Sequence, residues 1–588
     1  MNSRVQGLHP QSKIDNYVAK GWWTDETIDD LFWRQVEARS DAIAITDPLN
    51  RVSLDGEEPR RLSWRDLGAE VTYLAARMLE LGLKRGDRIG MQMPNSIEQV
   101  QIYLAAWSIG VVVSPLALQY REHETVAMVN QAELDAYIVA HHFADRQLAQ
   151  EVADFREQLP TVRHLLTIGL AEAAPIDGVQ RIVPQPATDA DARALAEYRA
   201  HNPNHPNDLV TICWTSGTEG KPKGVLRAHY DWINFNWAVM DGLNGASSIV
   251  DGEAVALGDI DHNDVLLNPF PLINMAGING MLLPWLRTAC LLVQHHPFDA
   301  PTFFAQVAKE RVTWTILPPA LLWMLLNNEQ LLSQVDLSSL NRLGSGSAPL
   351  QPAMVRGWQE KMGLFVINFF GSNEGVALLS NALDFPNADD RANFFPRYGA
   401  PGVEWSSRVS KWVRVKLVDP ETQEVITEPG RPGELYIDGP QLFGGYLNGQ
   451  DLANPFDDEG YLKTGDVFEI AGENNEFLRY VDRAKDLVIR GGMNISPVEI
   501  EQLISEHPAV LEVSVVGDPD EVLGERVAAV VVLRPEAELT LDELVNFLRE
   551  RRIASFKLPE RLRIIDALPR NPVGKVLKRD LRLTTAAK

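Results

Sequence analysis

The sequence predicts an α/β protein in two parts: a large multi-subdomain region of mainly parallel sheets with a β-rich subregion over residues 1–484, and a small α+β domain over residues 485–588. Three observations predict it. Helical and extended patterns alternate from Ile28 to about Pro206, as parallel α/β architecture requires. Short extended runs punctuated by Pro and Gly fill Trp412 to Leu442, which suggests antiparallel pairing. After Lys485 a self-contained series of helix, two strands, helix and strand follows.

In chain order, LSWRDLGAEVTYLAARMLELGL (62–83) spaces its apolar residues three to four apart and predicts a helix, followed by the extended run RIGMQM. SIEQVQIYLAAWSIG (96–110) predicts a helix feeding the apolar strand VVVSPL, and DAYIVA and VRHLLTI predict further buried strands. Asp208 to Trp214 is another buried strand, running into a polar, glycine-rich loop from Thr215 to Gly224. VRVKLV and GELYID supply the antiparallel subregion. In the last hundred residues SPVEIEQLIS and LDELVNFLRERR predict helices, and VLEVSVVG, ERVAAVVVL and RLRIID predict strands.

With 588 residues, 45% hydrophobic and 23% charged, the chain has enough apolar side chain to bury real cores, which excludes disorder as its dominant state. Its net charge of −25 makes long-range approach to nucleic acid or an anionic membrane unfavourable. Residues 551–588 run against that sign, with eleven Lys or Arg against Glu560, Asp566 and Asp580, and point to an anionic ligand. Cys213 and Cys290 are too few for a disulfide framework or a cysteine zinc site, and both are expected in the core of a protein kept in a reducing compartment. The opening residues have no secretory apolar core, and Met281–Val293 is too short to span a bilayer and is broken by Arg287, so a cytoplasmic protein without an integral membrane segment is expected.

The first strong chemical pattern is TSGTEGKPKGV at 215–225. Glycines let backbone N–H groups approach an anion, hydroxyls donate, and lysine supplies charge, so such a loop can wrap polyphosphate oxygens. It lacks the Gly-Lys-Ser/Thr spacing of a Walker A loop. In its residue order the segment resembles the phosphate loop of the adenylate-forming superfamily of acyl-CoA synthetases, aryl-acid ligases, peptide-synthetase adenylation domains and luciferases. Later segments match in the same order: FFGSNEG at 369–375, GELYIDGPQLFGGYL at 433–447, YLKTGD at 461–466, DRAKDLVIRGGMNISPVEIE at 482–501 and PRNPVGKVLKR at 569–579. The N-terminal third is compatible by pattern alone.

The resemblance implies attack of a carboxylate on the α-phosphate of ATP, giving an acyl-adenylate and pyrophosphate, then capture of the acyl group by coenzyme A. It assigns Thr215, Ser216, Gly217, Thr218 and Gly220 to the ATP phosphates, with Lys223 as a catalytic charge. Mg2+ would be held by Glu374 and Thr218, since a hard cation prefers oxygen ligands. Phe370 would stack on adenine, with Ser347, Asn368, Gly371 and Asn373 also lining the nucleotide. Asp466 would accept both ribose hydroxyls and Arg483 would support the ribose or phosphate. Lys575 would sit between the carboxylate and the α-phosphate. Lys485 would be the pivot of a mobile C-terminal domain, whose rotation brings Arg490, Gly491 and Gly492 to face coenzyme A. His229 occupies the family's helix-opening histidine position, and a packing role there is at least as well supported as a catalytic one.

Two positions depart from the pattern. Asn373 stands where Thr usually precedes the magnesium-binding Glu, and Asn274 in FPLINMAG stands where His is usual, adding a polar group near the acyl path. With Phe270, Pro271 and Gly346 in that neighbourhood, an apolar, uncharged acid is favoured over an amino acid or an ortho-hydroxy aryl acid. The opening GWWTDETIDDLF and the length are similar to those of ligases for alicyclic, aryl or medium-chain acids. Two other readings stand beside the CoA ligase: loading of a carrier-protein thiol, and a non-catalytic nucleotide-binding relative. A second copy of the chain, as a homodimer, stands as a candidate partner.

Overall fold

The computed structural model describes residues 7–169, 174–216, 222–250, 253–449, 452–483, 486–490, 493–520, 523–551, 553, 555–571 and 575–583. Alternation in the sequence becomes two eight-stranded sheets. The first runs in the order Gly445–Tyr446, Pro222–Ala228, Leu209–Ser216, Val112–Pro115, Arg88–Gln92, Ala136–Val139, His164–Ile168 and Gln180–Ile182. It is parallel from Leu209–Ser216 onward, whereas its first three strands pair antiparallel. The second follows the order Ala377–Ser380, Val366–Gly371, Arg342–Gly346, Trp314–Leu317, Val265–Asn268, Leu291–Gln294, Ile43–Thr46 and Arg61–Ser63, parallel except for its two end pairs.

Helices fill the space around these sheets. Ile97–Ser108 is buried on every side, which explains why its sequence is apolar nearly all round. The helix predicted from residue 62 begins instead at Trp64, because Ser63 accepts the Asp66 N–H as an N-cap and Arg61–Ser63 pairs with Ile43–Thr46 as a strand. Trp64 stacks on Trp285 at 4.8 Å, and the Trp285 indole donates to the Ala44 carbonyl, closing one core across both halves of the chain. Cys213 and Cys290 are both 0% exposed, as expected. Met281–Val293 folds into two short buried helices and the start of strand Leu291–Gln294. Among the described residues no helix is long and apolar enough to cross a membrane.

The β-rich subregion is a six-stranded antiparallel sheet in the order Phe394–Pro396, Phe477–Arg483, Leu462–Ala471, Gly433–Asp438, Arg414–Val418 and Val425–Ile426. A last sheet joins Met493–Ile495, Val488–Arg490, Gly524–Leu533 and Val510–Asp520, with Arg561–Ile564 added parallel to Gly524–Leu533. Helices Pro497–Ser505 and Leu541–Glu550 cover one face of it, each capped by the hydroxyl its sequence places there, Ser496 and Thr540.

Candidate nucleotide and acid site

The glycine-rich segment is shorter as a loop than its composition predicts. Strand Leu209–Ser216 continues through Thr215 and Ser216, and strand Pro222–Ala228 already contains Lys223, which lies opposite Thr215 in register. The reason is apolar: Ile212, Val225 and the close-packed Gly224 extend the pairing to the edge of the polar tip. Gly217, Thr218 and Gly220 lie outside the described residues, as do Lys485, Gly491 and Gly492.

Gly445–Tyr446 pairs against this hairpin with Tyr446 opposite Val225. That register puts the Lys223 ammonium 5.3 Å from the centre of the Tyr446 ring, whose hydroxyl donates to Glu374 Oε1 at 3.0 Å. Burial, reinforced by the Glu374 charge, pushes the Tyr446 phenol up, so it stays a donor. The turn bearing Glu374 is clamped from beneath by Arg227, 0% exposed, which donates from Nε to the Asn373 carbonyl (2.8 Å) and from Nη1 to the Gln441 carbonyl (2.6 Å). Gly375 sits at φ +109°, and a Cβ there would lie 2.4 Å from the Gln441 carbonyl, so only glycine lets the two segments pass. Neither Arg227 nor Tyr446 was legible as a site residue: each acts through a partner more than 70 positions away.

Asn373 and Asn274 turn out to belong to one assembly. Asn373 Oδ1 accepts the Met275 N–H at 2.8 Å, and Asn274 Oδ1 caps the following short helix by accepting the N–H groups of Ala276 and Gly277. Asn373 therefore ties the Glu374 turn to the segment whose short helix Asn274 caps. Phe270 is buried at 8% exposure, and its carbonyl accepts from Asn95, so its ring is part of the core. Gly346 ends strand Arg342–Gly346, where a Cβ would meet the Phe369 carbonyl at 2.4 Å, and Ser347 follows exposed at φ +74°. The Asn368 amide donates to the carbonyls of Arg391 and Ala392 and so holds a neighbouring segment. Phe370, two residues on, is ringed by Phe395, Phe468 and Tyr480, and Gly371 after it is exposed. His229 is buried, and its Nδ1 accepts the Ile28 N–H at 3.0 Å, which is the packing role.

Asp466 and Arg483 face each other across adjacent antiparallel strands, with Arg483 Nε 3.1 Å from Asp466 Oδ1. Burial raises the Asp466 carboxyl, the nearby charges of Arg483 and Lys575 pull it down, and Glu374 adds a smaller upward push. Four predicted groups from three distant parts of the chain, Glu374, the Asp466–Arg483 strand pair and Lys575, thus share one electrostatic neighbourhood. Lys575 itself is exposed on a loop tied by its N–H to Asn571 Oδ1. Arg490 lies elsewhere, paired through two nitrogens with Glu560, which Arg526 also contacts.

The basic C-terminal stretch is less available than its charge suggests. Arg551, Lys557, Arg561, Arg563, Arg570, Lys578 and Arg582 all form ion pairs with acids of residues 486–518. For magnesium, the site offers a carboxylate whose Oε1 is steadied by Tyr446 and whose backbone is fixed by Arg227, a hard oxygen donor that fits the cation. Among the described residues there is no cluster of three or more His, Cys, Asp or Glu to bind a metal by protein alone, so substrate oxygens would complete its shell.

Residues 32–447 match the AMP-binding enzyme family and residues 499–575 its C-terminal domain, and the chain belongs to that family. It is 30% identical over 581 residues to the 2-hydroxy-7-methoxy-5-methyl-1-naphthoate–CoA ligase of Streptomyces carzinostaticus, covering 97% of this chain and 96% of the relative. It is 28% identical over 593 residues to the medium-chain fatty-acid–CoA ligase of Escherichia coli, covering 99% and 94%. The fold is that of ATP-bound MatB from Rhodopseudomonas palustris, with a TM-score of 0.73 at 23% identity over 96% of this chain and 99% of that one.

Proposed function

We propose that the protein is an AMP-forming acid–CoA ligase acting on an apolar alicyclic, aryl or medium-to-long-chain carboxylic acid. The observation that carries this reading is the convergence of Asp466, Arg483, Glu374 and Lys575 in one electrostatic neighbourhood. Asp466, with Oδ1 held by Arg483, accepts the ribose hydroxyls and fixes the nucleotide. Phe370 and the exposed backbone at Gly371 and Ser347 border the base, and Thr215, Ser216 and Lys223 lead the hairpin tip toward the phosphates. Lys575 offsets the negative charge that builds as the substrate carboxylate approaches the α-phosphate and pyrophosphate leaves. Magnesium, when bound through Glu374 and Thr218, neutralises phosphate charge.

The second half-reaction belongs to the same chain. A turn of the small domain about Lys485 withdraws Lys575 and brings Arg490, Gly491 and Gly492 to the site, where the CoA thiol attacks the acyl carbonyl and AMP leaves. Arg490 then exchanges Glu560 for an anionic group of coenzyme A. Asn274, Phe270 and Gly346 bring no charge to the acid path, which favours an apolar acid and disfavours an amino acid. The domain boundary at 484/485, a cytoplasmic location and a homodimeric state complete the reading.

The test is exchange of labelled pyrophosphate into ATP with octanoate, cyclohexanecarboxylate, cinnamate and a steroid side-chain acid, followed by thioester formation with coenzyme A or with holo carrier proteins. Acid-dependent exchange and acyl-CoA formation are expected. Thioester formation only on a carrier protein would move the enzyme to that class, and ATP binding with no exchange would make it a non-catalytic relative.

A further inference from the structure

Three residues beyond Lys575, Lys578 opens the helix Lys578–Leu583. Its side chain is only 16% exposed, and its buried ammonium lies 2.9 Å from Glu501 Oε1 and 3.9 Å from Asp482 Oδ2. These two carboxylates come from different bodies. Glu501 lies on helix Pro497–Ser505, whereas Asp482 lies on strand Phe477–Arg483, in the sheet that holds Asp466 and next to Arg483.

Glu501 is rigidly held, since its Oε1 also accepts the Val515 N–H at 2.7 Å. Its helix is moored to the same strand by the Ser496 hydroxyl, which donates to the Val481 carbonyl at 2.6 Å. On the other side, the loop bearing Lys575 is closed at its base: Leu577 N–H donates to the Pro569 carbonyl and Asn571 N–H to the Lys575 carbonyl, both at 2.8 Å. Val576 and Leu581 pack with Leu568 and Val516. The described residues on either side of 572–574 are thus fixed to one another, and Lys578, just beyond them, carries a charge aimed at the strand of the Asp466–Arg483 pair. Asp482 is buried, its other oxygen accepts the Arg483 N–H at 2.6 Å, and a buried carboxylate deprived of its counter-ion is strongly disfavoured.

We infer that Lys578 is a positioning residue which, by bridging Glu501 and Asp482, sets the Lys575 loop in register with Asp466 and Arg483 for adenylate formation. Turning the small domain for thioester formation parts Lys578 and Glu501 from Asp482, so the bridge serves the first half-reaction and not the second. This rests on the reading of Lys575 as the adenylation lysine.

The test compares Lys578→Met with Lys578→Arg in the full chain by two readouts. The first is a spin-label distance between Glu424→Cys and Glu550→Cys, both exposed positions; the native cysteines, at 0% exposure, stay unlabelled. Lys578→Met should broaden the distance distribution and Lys578→Arg should keep it narrow. The second uses whichever of octanoate, cyclohexanecarboxylate or cinnamate gives the fastest wild-type exchange. Lys578→Met should slow acid-dependent pyrophosphate exchange about tenfold or more, while conversion of the preformed acyl-adenylate by coenzyme A stays within about twofold of wild type. An unchanged distance distribution, or an equal fall in both half-reactions, overturns the inference. Absence of exchange in the wild type would refute the functional reading instead, and the distance measurement would still decide the role of Lys578.

Discussion

Replacing Arg227 by Met should loosen the turn that carries Glu374 while leaving the sheets intact. The substitution keeps an apolar stem beside Trp232 and Phe235, over whose rings the guanidinium now sits at 4.8 Å, but it donates nothing. The buried carbonyls of Asn373 and Gln441 lose donors at 2.8 and 2.6 Å. Each orphaned carbonyl costs about 1–3 kcal/mol, and the relief of burying one fewer cation offsets part of the sum, so about 3 kcal/mol is expected. Asp231, fully buried and 3.8 Å from the guanidinium, keeps the Ala228 N–H and His9 at Oδ1 but loses the cation facing Oδ2, a cost beyond that of the two carbonyls. The assay is amide hydrogen exchange in peptides spanning 371–378 and 439–447, which contain the Phe443 N–H bonded to the Glu374 carbonyl at 3.0 Å. A loss of about 3 kcal/mol in local opening corresponds to about a hundredfold faster exchange there, with the strands of the parallel sheets unchanged. Wild-type protection in both peptides would show that the clamp does not hold the turn.

Tyr446→Phe should raise the magnesium concentration needed for half-maximal pyrophosphate exchange by about tenfold, the worth of one hydrogen bond to a charged acceptor, and leave thermal stability near wild type. The ring remains beneath Lys223, so an unchanged magnesium titration would mean that the hydroxyl does not orient Glu374. His296 supplies a pH test: burial, with the neighbouring His295 charge, depresses it from 6.5 to about 4. A base with a depressed folded-state pKa contributes stability above its unfolded value of 6.5 and loses it as pH falls toward 4. Between pH 7.5 and 5 the chain should lose about 2 kcal/mol from this group, read as a falling urea midpoint, and His296→Gln should shrink that fall. An equal fall in the variant would place the acid sensitivity elsewhere.

What the sequence made legible was whatever is local. Alternating patterns located the parallel strands Arg88–Gln92, Val112–Pro115 and Ala136–Val139, and short motifs singled out Glu374, Asp466 and Lys575 as candidates, because each motif is contained within a few residues. Ser63 was absorbed into a helical pattern it in fact caps, since apolar spacing does not distinguish an N-cap from the first turn. The clamp on the Glu374 turn was invisible for another reason. Arg227 reaches carbonyls 146 and 214 positions away, and a carbonyl is present at every residue, so no residue type marks the partner. Asn373 and Asn274 showed the converse: the sequence exposed both as unusual, and only the bond from Met275 N–H to Asn373 Oδ1 shows that they serve one junction.

Charge shows most clearly why composition underdetermines a site. Lys575 and Lys578 are the same residue type three positions apart in a basic run, yet one is exposed on a loop whose charge reaches Asp466, and the other is 16% exposed between two carboxylates. Arg561 and Arg563, counted in the same run, both close on the fully buried Asp518. A cation already facing a carboxylate at 3 Å projects little field to a distant anion, because the pair appears from outside as a dipole. The paired cations Arg561, Arg563 and Lys578 therefore add little to any attraction of this domain for an anion. Net charge alone gives no measure of it. On that account, Arg563→Met should lower the urea midpoint of the chain, through the buried Asp518 it leaves behind, far more than it lowers nucleotide affinity, and an unchanged midpoint would refute the reasoning.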